Sequence, residues 1–449
     1  MDQPVSEQSV LGALREALDS GTMRAARRMV AGLRPGEIAR LLESLPYTER
    51  RVVWELVDRD FEGEVLVELA DDVRDSLIRE MDVDQVVAAT EGMAVDDLAD
   101  LVVDLPEAIT QQVLRSLDRE DREELREVLA YPEDSAGGLM DTDTMSVRPD
   151  VSVEVVLRYL RAHDELPDRT DLLFVVDRDN HFLGTVALTS LLVADPDAII
   201  EDLVEPDAVS VNALTGALDV ARVFEDRDLL SIAVVDDDNL LVGRITVDDV
   251  IDVIREEAEH SLMGAAGLDE DHDLFAPVFQ SSRRRAFWLG INLLTAFVAA
   301  SVVDLFQTAI DKVVLLAVLM PIVPSMGGVA GTQTLTIITR AIALGQIEAA
   351  NALYVLRREV LVGVINGFFW AALVAVVTAV WFGTWDIGLL IAVALAANLV
   401  VAALCGYAIP LILGRLRVDP ALAGGVILTT ITDVVGYGVF LGLGAAFLL

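Results

Sequence analysis

The sequence predicts a multidomain chain of three kinds of structure: an α-helical, superhelical amino-terminal domain, a tandem pair of α/β units, and a membrane domain of five α-helices. Three observations carry this prediction. Apolar residues recur at three and four spacings through the first 138 positions, with carboxylates on the opposite face. The period then changes to short strand-like runs, and one such pattern occurs twice, roughly 60 residues apart. Beyond Arg283 come five apolar spans, each able to cross a hydrocarbon core of about 30 Å.

Charge divides the chain at the same place. The 449 residues carry 73 acidic and 33 basic side chains, a net charge of −40. Only seven acidic residues lie from Arg283 onward (Asp304, Asp311, Glu348, Glu359, Asp386, Asp419, Asp433), so the soluble half holds nearly all of the negative charge. Such a surface repels nucleic acid and anionic lipid, which excludes both as partners of the first half, and it attracts divalent cations. Bulk acidity also serves solubility or adaptation to salt. Lys312 is the only lysine, which fits that reading, so only placed carboxylates count as signs of a site. Cys405 stands alone in an apolar segment, leaving no disulfide framework and no cysteine metal site. The four histidines, His163, His181, His260 and His272, are scattered. The amino terminus is polar and acidic, so no signal peptide is expected there.

In the first domain, stretches such as Val52–Leu69 and Val86–Leu105 have helical periodicity. Breaks are expected at Pro35-Gly36, Leu45-Pro46, Leu105-Pro106 and Tyr131-Pro132, giving short stacked helical hairpins rather than one bundle. In the repeats, Leu172–Asp177 and Ser231–Asp236 are apolar runs that end in aspartate. Each is followed by a turn, a second strand (Phe182–Val186; Leu241–Thr246) and the start of a helix.

The spans are expected at about 286–303, 313–339, 360–382, 386–412 and 421–448. If they alternate, Arg283, Arg284, Arg285, Arg340, Arg357, Arg358, Arg415 and Arg417 all fall on one side and Lys312 on the other. This asymmetry places the acidic half in the cytosol and the carboxy terminus outside a cell (inner) membrane.

Asp433 is the sharpest chemical feature. It lies near the middle of the last span, after Thr429, Thr430 and Thr432, and no basic residue lies at comparable depth. An ionised carboxylate there requires water, a cation or a partner. Two readings remain: the lining of an ion path, or a protonated acid hydrogen-bonded between helices. Pro321, Pro324, Gly327, Gly328 and Gly331 in span two either loosen the helix and free carbonyls beside a cavity, or pack it closely through Gly327-x-x-x-Gly331. Asp419 suits a pore mouth or an N-terminal helix cap before Pro420. Asn292, Asn366 and Asn398 are expected to make interhelical hydrogen bonds, and Asp304 and Asp311 to be ordinary loop residues. Asp248, Asp249, Asp252, Glu256, Glu257 and Glu259 crowd a helix leaving the second repeat. Like charges at i, i+4 destabilise a helix unless counter-ions sit between them, and Mg²⁺ takes oxygen ligands while keeping its waters. A solvated acidic face is the plain alternative. No phosphate-binding glycine loop, nucleophile–histidine pairing or tight His/Cys metal motif points to an enzyme.

These residues resemble the MgtE family of magnesium channels and transporters. Tyr131–Met140 is similar to that family's junction between a helical N domain and a pair of CBS domains. The twin repeats resemble the CBS domains, and Thr246–Ile254 closes the second. The segment from Glu256 through Gly264 and Gly267 to Trp288 resembles the connecting plug helix. Pro324-Ser325-Met326-Gly327-Gly328 and Thr432-Asp433-Val434-Val435-Gly436 resemble the two pore motifs. The resemblance implies an N domain at 1–138, CBS domains at 139–200 and 201–259, a plug helix at 260–282 and a five-helix pore domain at 283–449. It implies a homodimer in the lipid bilayer that takes up Mg²⁺ and is closed by cytosolic Mg²⁺, with ATP as a further ligand of the CBS domains. The implied pore residues are Asp433, Asp419, Thr429, Gly328 and Gly331. The implied sensor residues are Glu64, Asp96, Asp100, Asp228, Asp249, Asp252 and Glu257, to which the crowded acidic helix adds Glu256 and Glu259. Val329, Thr332 and Gly425 stand where the family has asparagines, and Thr215-Gly216-Ala217-Leu218 replaces an acidic loop. A broader divalent-cation (Co²⁺, Mn²⁺) channel, a Mg²⁺ exchanger and a nucleotide-sensing receptor are the alternative functions.

Overall fold

The structure, a computed structural model, describes residues 12, 14, 16 and 23–448 except 92, 164, 165, 168, 206, 265–267, 269–273, 349 and 417. Gly267, His272, Arg417 and the amino-terminal residues 1–11 read above lie outside these. The chain forms two units that part after Glu257, the second holding Pro277–Leu449 together with the segment from Ala258.

The first unit begins with helices α1 (Met23–Val30), α2 (Pro35–Glu43), α3 (Tyr47–Trp54), α4 (Glu62–Val67), α5 (Asp71–Ile78), α6 (Val83–Ala89), α7 (Val95–Asp104), α8 (Glu107–Ser116) and α9 (Arg119–Val128). The periodic stretches Val52–Leu69 and Val86–Leu105 are each broken in two, the first by a turn and a 3₁₀ segment at Arg59–Phe61. Several prolines open helices rather than close them. Pro35 occupies the first turn of α2, and Pro46 and Pro106 precede α3 and α8. Their fixed φ suits a first turn, where no hydrogen bond is lost. Arg50 is buried in the core and donates to the carbonyls of Leu42 (3.0 Å) and Leu45 (3.3 Å), which ties α3 to the end of α2. At the approach of α4 to the end of α6, a Cβ on Gly63 would lie 2.2 Å from the Ala89 carbonyl oxygen. Gly63→Ala is therefore expected to destabilise the soluble half by roughly 1–3 kcal/mol, read as a lower thermal midpoint of its unfolding.

After the junction, β1 (Ser146–Val147), α10 (Val153–Leu160), β2 (Leu172–Val176), β3 (Phe182–Ala187) and α11 (Leu188–Val193) form the first α/β repeat. In the second, β4 (Ser210–Asn212), α12 (Ala217–Arg227), β5 (Ser231–Val235) and β6 (Leu241–Thr246) lead into α13 (Val247–Gly264). Each sheet has the same order, one parallel pair followed by an antiparallel hairpin, with a register shift at the equivalent place. The hairpin turns lock the repeats together. Asn180 and Asn239, both left-handed (φ 69° and 63°), donate side-chain bonds to Leu241 and Phe182 of the opposite hairpin. Asparagine tolerates that backbone region better than most residues. The junction is tight as well: Ala136 and Gly137 N–H bond to Thr215 and Ala213 carbonyls, and a Cβ on Gly137 would lie 2.4 Å from the Tyr131 ring.

The second unit contains α14 (Val278–Asp304), the short helices α15 (Gln307–Lys312) and α16 (Leu315–Leu319), then α17 (Ile322–Ala343), α18 (Ala352–Phe382), α19 (Trp385–Arg415) and α20 (Pro420–Leu448). Five stretches are long and apolar enough to cross a membrane: 281–304, 315–343, 352–382, 385–415 and 420–448. Asp311 lies in α15 rather than in a loop. α19 is the central helix, packed by α17, α18 and α20, whereas α14 rests mainly on α20. The irregular backbone of span two is confined to Met320–Pro321, and the glycines after it are helical. Close packing is what they permit. A Cβ on Gly331 would lie 2.9 Å from Leu428, and one on Gly406 would lie 2.7 Å from the Gly331 carbonyl oxygen. Of the three span asparagines only Asn398 makes the expected interhelical bond, to Val323 O at 2.9 Å. Asn292 and Asn366 stand on exposed faces.

Candidate metal sites

The membrane candidate is built on α20. Asp433 is the fourteenth residue of this helix, about 20 Å from its start at 1.5 Å per residue. Its half-buried carboxylate makes no hydrogen bond or ion pair with any described residue. The interhelical acid–acceptor reading therefore finds no partner within one chain. Gly328 of α17 faces this part of α20, its added Cβ lying 3.9 Å from Thr429 Cγ2 and from Thr432 Oγ1. The hydroxyls donate back to their own helix, Thr429 to Gly425 O (3.0 Å) and Thr432 to Thr429 O (3.0 Å); Thr429 is exposed, whereas Thr432 is completely buried. Gly331 departs from the expected set. Its carbonyl faces Gly406 of α19, not the side of α20 that carries Asp433.

Asp419 is the N-cap of α20. Its carboxylate accepts from the backbone N–H of Ala421 (2.8 Å) and Leu422 (3.1 Å), with Pro420 at the first helical position. It also lies 3.1 Å from His260 Nε2, which joins the end of α13 to the start of α20 within the second unit, where Gly264 packs on Ala421. Asp419→Ala is expected to lower the stability of the membrane half by about 1 kcal/mol, while Asp419→Ser keeps the cap. Thermal unfolding of the three purified proteins in detergent separates them.

The soluble candidate is a cluster of carboxylates where α7 meets the start of α13 and the junction. Asp96, Asp97 and Asp100 fall on one face of α7 because of their three and four spacings. Asp248 and Asp249 open α13, and Asp141 follows the junction. Burial is the largest cause of the raised pKa at every one of the α7 aspartates. It acts with Asp141 to push Asp96 to about 6, with Asp96, Asp100 and Asp248 to push Asp97 to about 7, and with Asp96, Glu133 and Glu256 to push Asp100 to about 7. Asp249 is likewise pushed to about 7 by burial and by Asp248 and Asp96, even though Thr246 donates to it at 2.9 and 3.1 Å. Asp252 is raised by burial and Asp248 against the pull of Arg255. Three arginines partly balance this charge: Arg169 pairs with Asp248 at 2.5 Å, Arg244 with Asp141 at 2.8 Å, and Arg74 eases Asp100. Asp96 Oδ1 is buried with no hydrogen-bond partner among the described residues. Oxygen donors that repel one another and leave a buried acceptor open suit a hard dication such as Mg²⁺.

Of the expected sensor residues, Asp96, Asp100, Asp249, Asp252 and Glu256 are coupled in this cluster. Asp228 caps α12 in the left-handed region (φ 53°) with its side chain exposed. Glu64 is exposed on α4, Glu257 is half-buried, and Glu259 is exposed near the end of α13. Sequence reasoning missed Asp97, Glu133 and Asp141. For Asp97 the signal was present as the pair Asp96-Asp97 one turn before Asp100.

A helical unit, two α/β repeats and five membrane-length helices define a multi-pass membrane protein with a soluble carboxylate cluster. The comparisons with known proteins name its family. Residues 33–134 match the MgtE intracellular N domain, 136–197 and 200–256 match CBS domains, and 320–443 match the MgtE divalent cation transporter domain. The chain is 30% identical over 440 residues to the magnesium transporter MgtE of Thermus thermophilus, covering 97% of this chain and 98% of that one. It is 28% identical over 431 residues to that of Bacillus subtilis, covering 96% of each. The solved cytosolic domain of the Mg²⁺ channel MgtE in complex with ATP aligns with a TM-score of 0.50 and 32% identity, over 54% of this chain and 99% of that one. The chain belongs to the MgtE family.

Proposed function

We propose that this protein is a magnesium channel or transporter that takes up Mg²⁺ through a path lined by Asp433 and closes when cytosolic Mg²⁺ binds its soluble carboxylates. The observation that carries the reading is the unpaired Asp433 in the middle of α20. A dication is the natural counter-charge for it in a chain with no basic residue at that depth. One carboxylate per chain suits a homodimer with the path on its two-fold axis, so that two aspartates face one hydrated ion. Asp419, Thr429 and Gly328 are the supporting pore residues. The arginine asymmetry supports a cytosolic soluble half and an outside carboxy terminus.

Closure follows from charge. Without Mg²⁺ the aspartates of α7 and α13 repel, and with Mg²⁺ they are bridged. Asp248, Asp249, Asp252 and Glu256 all lie on α13, so bridging by Mg²⁺ would act on that helix directly. Asp96, Asp97, Asp100, Asp249, Asp252 and Glu256 would form the inner sensor, with Glu64, Asp228 and Glu257 as outer ligands. The likeness to an ATP-bound cytosolic domain supports ATP as a second ligand of the CBS pair.

Growth of a magnesium-uptake-deficient cell at low Mg²⁺ tests the function: expression of this chain is expected to restore it. Failure of the expressed, membrane-inserted protein to do so would falsify the uptake reading. Competition by Co²⁺ or Mn²⁺ at concentrations similar to Mg²⁺ would instead favour the broader divalent channel.

A further inference from the structure

The amide of Asn398 is completely buried in the middle of α19, where α17, α19 and α20 meet. Its Nδ2 donates to Val323 O at 2.9 Å, the carbonyl just before Pro324. Two glycines make room for it, one from each of the flanking helices. A Cβ on Gly327 would lie 2.2 Å from this nitrogen, and one on Gly436 would lie 3.0 Å from it and equally close to Pro324. Its Oδ1 has no partner among the described residues. A leucine has the same branched shape and would leave no orphaned acceptor, so the amide contributes something other than packing. What it contributes is one directed bond and a fixed shape between two helices that carry the ion path. Gly436 lies one turn after Asp433 on α20, and Gly328 follows Gly327 on α17 and faces Thr429 and Thr432.

We infer that Asn398 is a positioning residue for ion passage: keyed into Gly327 and Gly436 and bonded to Val323 O, it sets the spacing of α17 from the Asp433 turn of α20. This rests on the proposed Mg²⁺ path. A hydrated dication passing between fixed oxygen groups is sensitive to spacing, so loosening the wedge alters which ion passes as well as how fast.

The test is flux of Mg²⁺ and of Co²⁺ into proteoliposomes holding equal amounts of monodisperse protein. Asn398→Leu, which keeps the branched shape and loses the donor, is expected to lower Mg²⁺ flux about tenfold and to shift the Co²⁺:Mg²⁺ flux ratio about threefold or more, because misplacing a reacting or binding group by about 1 Å is costly. Asn398→Asp is expected to stay within about threefold of wild type, since the neutral carboxyl group has the same shape and an O–H that donates to the same carbonyl. A leucine variant with wild-type flux and ratio overturns the inference, as does an aspartate variant that loses as much as the leucine one. If the leucine variant does not fold, Gly436→Ala carries the test by displacing the amide: the ratio is expected to shift, and an unchanged ratio overturns the inference. A wild-type protein that passes no Mg²⁺ refutes the functional reading itself, whereas normal wild-type flux beside an unaltered leucine variant refutes the role of Asn398 alone.

Discussion

Asp433→Asn is expected to lower Mg²⁺ flux by at least about a hundredfold in proteoliposomes while leaving the folded protein intact. The size follows from electrostatics. A unit charge about 4 Å from a dication at an effective dielectric near 20 is worth about 8 kcal/mol. If two thirds of that is offset by dehydration of the ion and the carboxylate, the remainder of about 2.7 kcal/mol corresponds to two powers of ten. No other acidic or basic residue lies at this depth in α20, so nothing in the same chain replaces the lost charge. The fold is spared because Asp433 makes no hydrogen bond or ion pair with another described residue, and asparagine fills the same space. Asp433→Glu keeps the charge and moves it by one methylene, so it is expected to retain part of the flux. An asparagine variant that passes Mg²⁺ at half the wild-type rate or better would show that the ion does not rely on this carboxylate.

The membrane half was legible because its rules are simple. A hydrophobic span and a lone carboxylate within it are visible in one dimension, and Asp433 needed no neighbours to be singled out. The same holds for the twin repeats, whose apolar runs ending in Asp177 and Asp236 are the strands β2 and β5 with their turns. The glycines of span two were not decidable. Gly327 and Gly331 are compatible with a loosened helix until one knows that Asn398 and Leu428 occupy the space beside them, and those contacts come from residues 71 to 97 positions away. Asp419 shows a related limit. Its cap to Ala421 is local and was readable, whereas its contact with His260 spans 159 residues and was not. In the soluble half the obstacle was abundance. Among 73 acidic residues, Asp97 and Asp141 look like solvated side chains. Only folding shows that α7, the junction and α13 converge, and burial there raises the pKa of Asp97.

In the proposed sensor, burial is expected to make Mg²⁺ binding dependent on pH. Burial, with the charge of their acidic neighbours, pushes Asp97, Asp100 and Asp249 up to about 7 from the ordinary 3.8. A carboxyl with a raised folded pKa favours the compact arrangement while protonated, so its stabilising contribution is complete below pH 3.8 and is lost as pH rises through about 7. In the absence of Mg²⁺ the contact of α7 with α13 is therefore expected to loosen between pH 6 and 8. Added Mg²⁺ acts in the opposite direction. It needs the ionised carboxylates, so binding expels protons, and each proton displaced from a group near 7 weakens binding about tenfold between pH 8 and pH 6. The Mg²⁺ concentration giving half-maximal protection of the soluble half from protease is thus expected to rise between about tenfold and about a hundredfold over that interval, the range reflecting one to two protons released per closure. Asp249→Asn removes one of the titrating ligands, and is expected both to raise that concentration at pH 8 and to flatten its dependence on pH. Protection that responds to Mg²⁺ equally at pH 6 and pH 8 would mean that the ion binds elsewhere than among these aspartates. A steep dependence that survives Asp249→Asn unchanged would exclude Asp249 and leave Asp97 and Asp100 as the groups that exchange protons for magnesium.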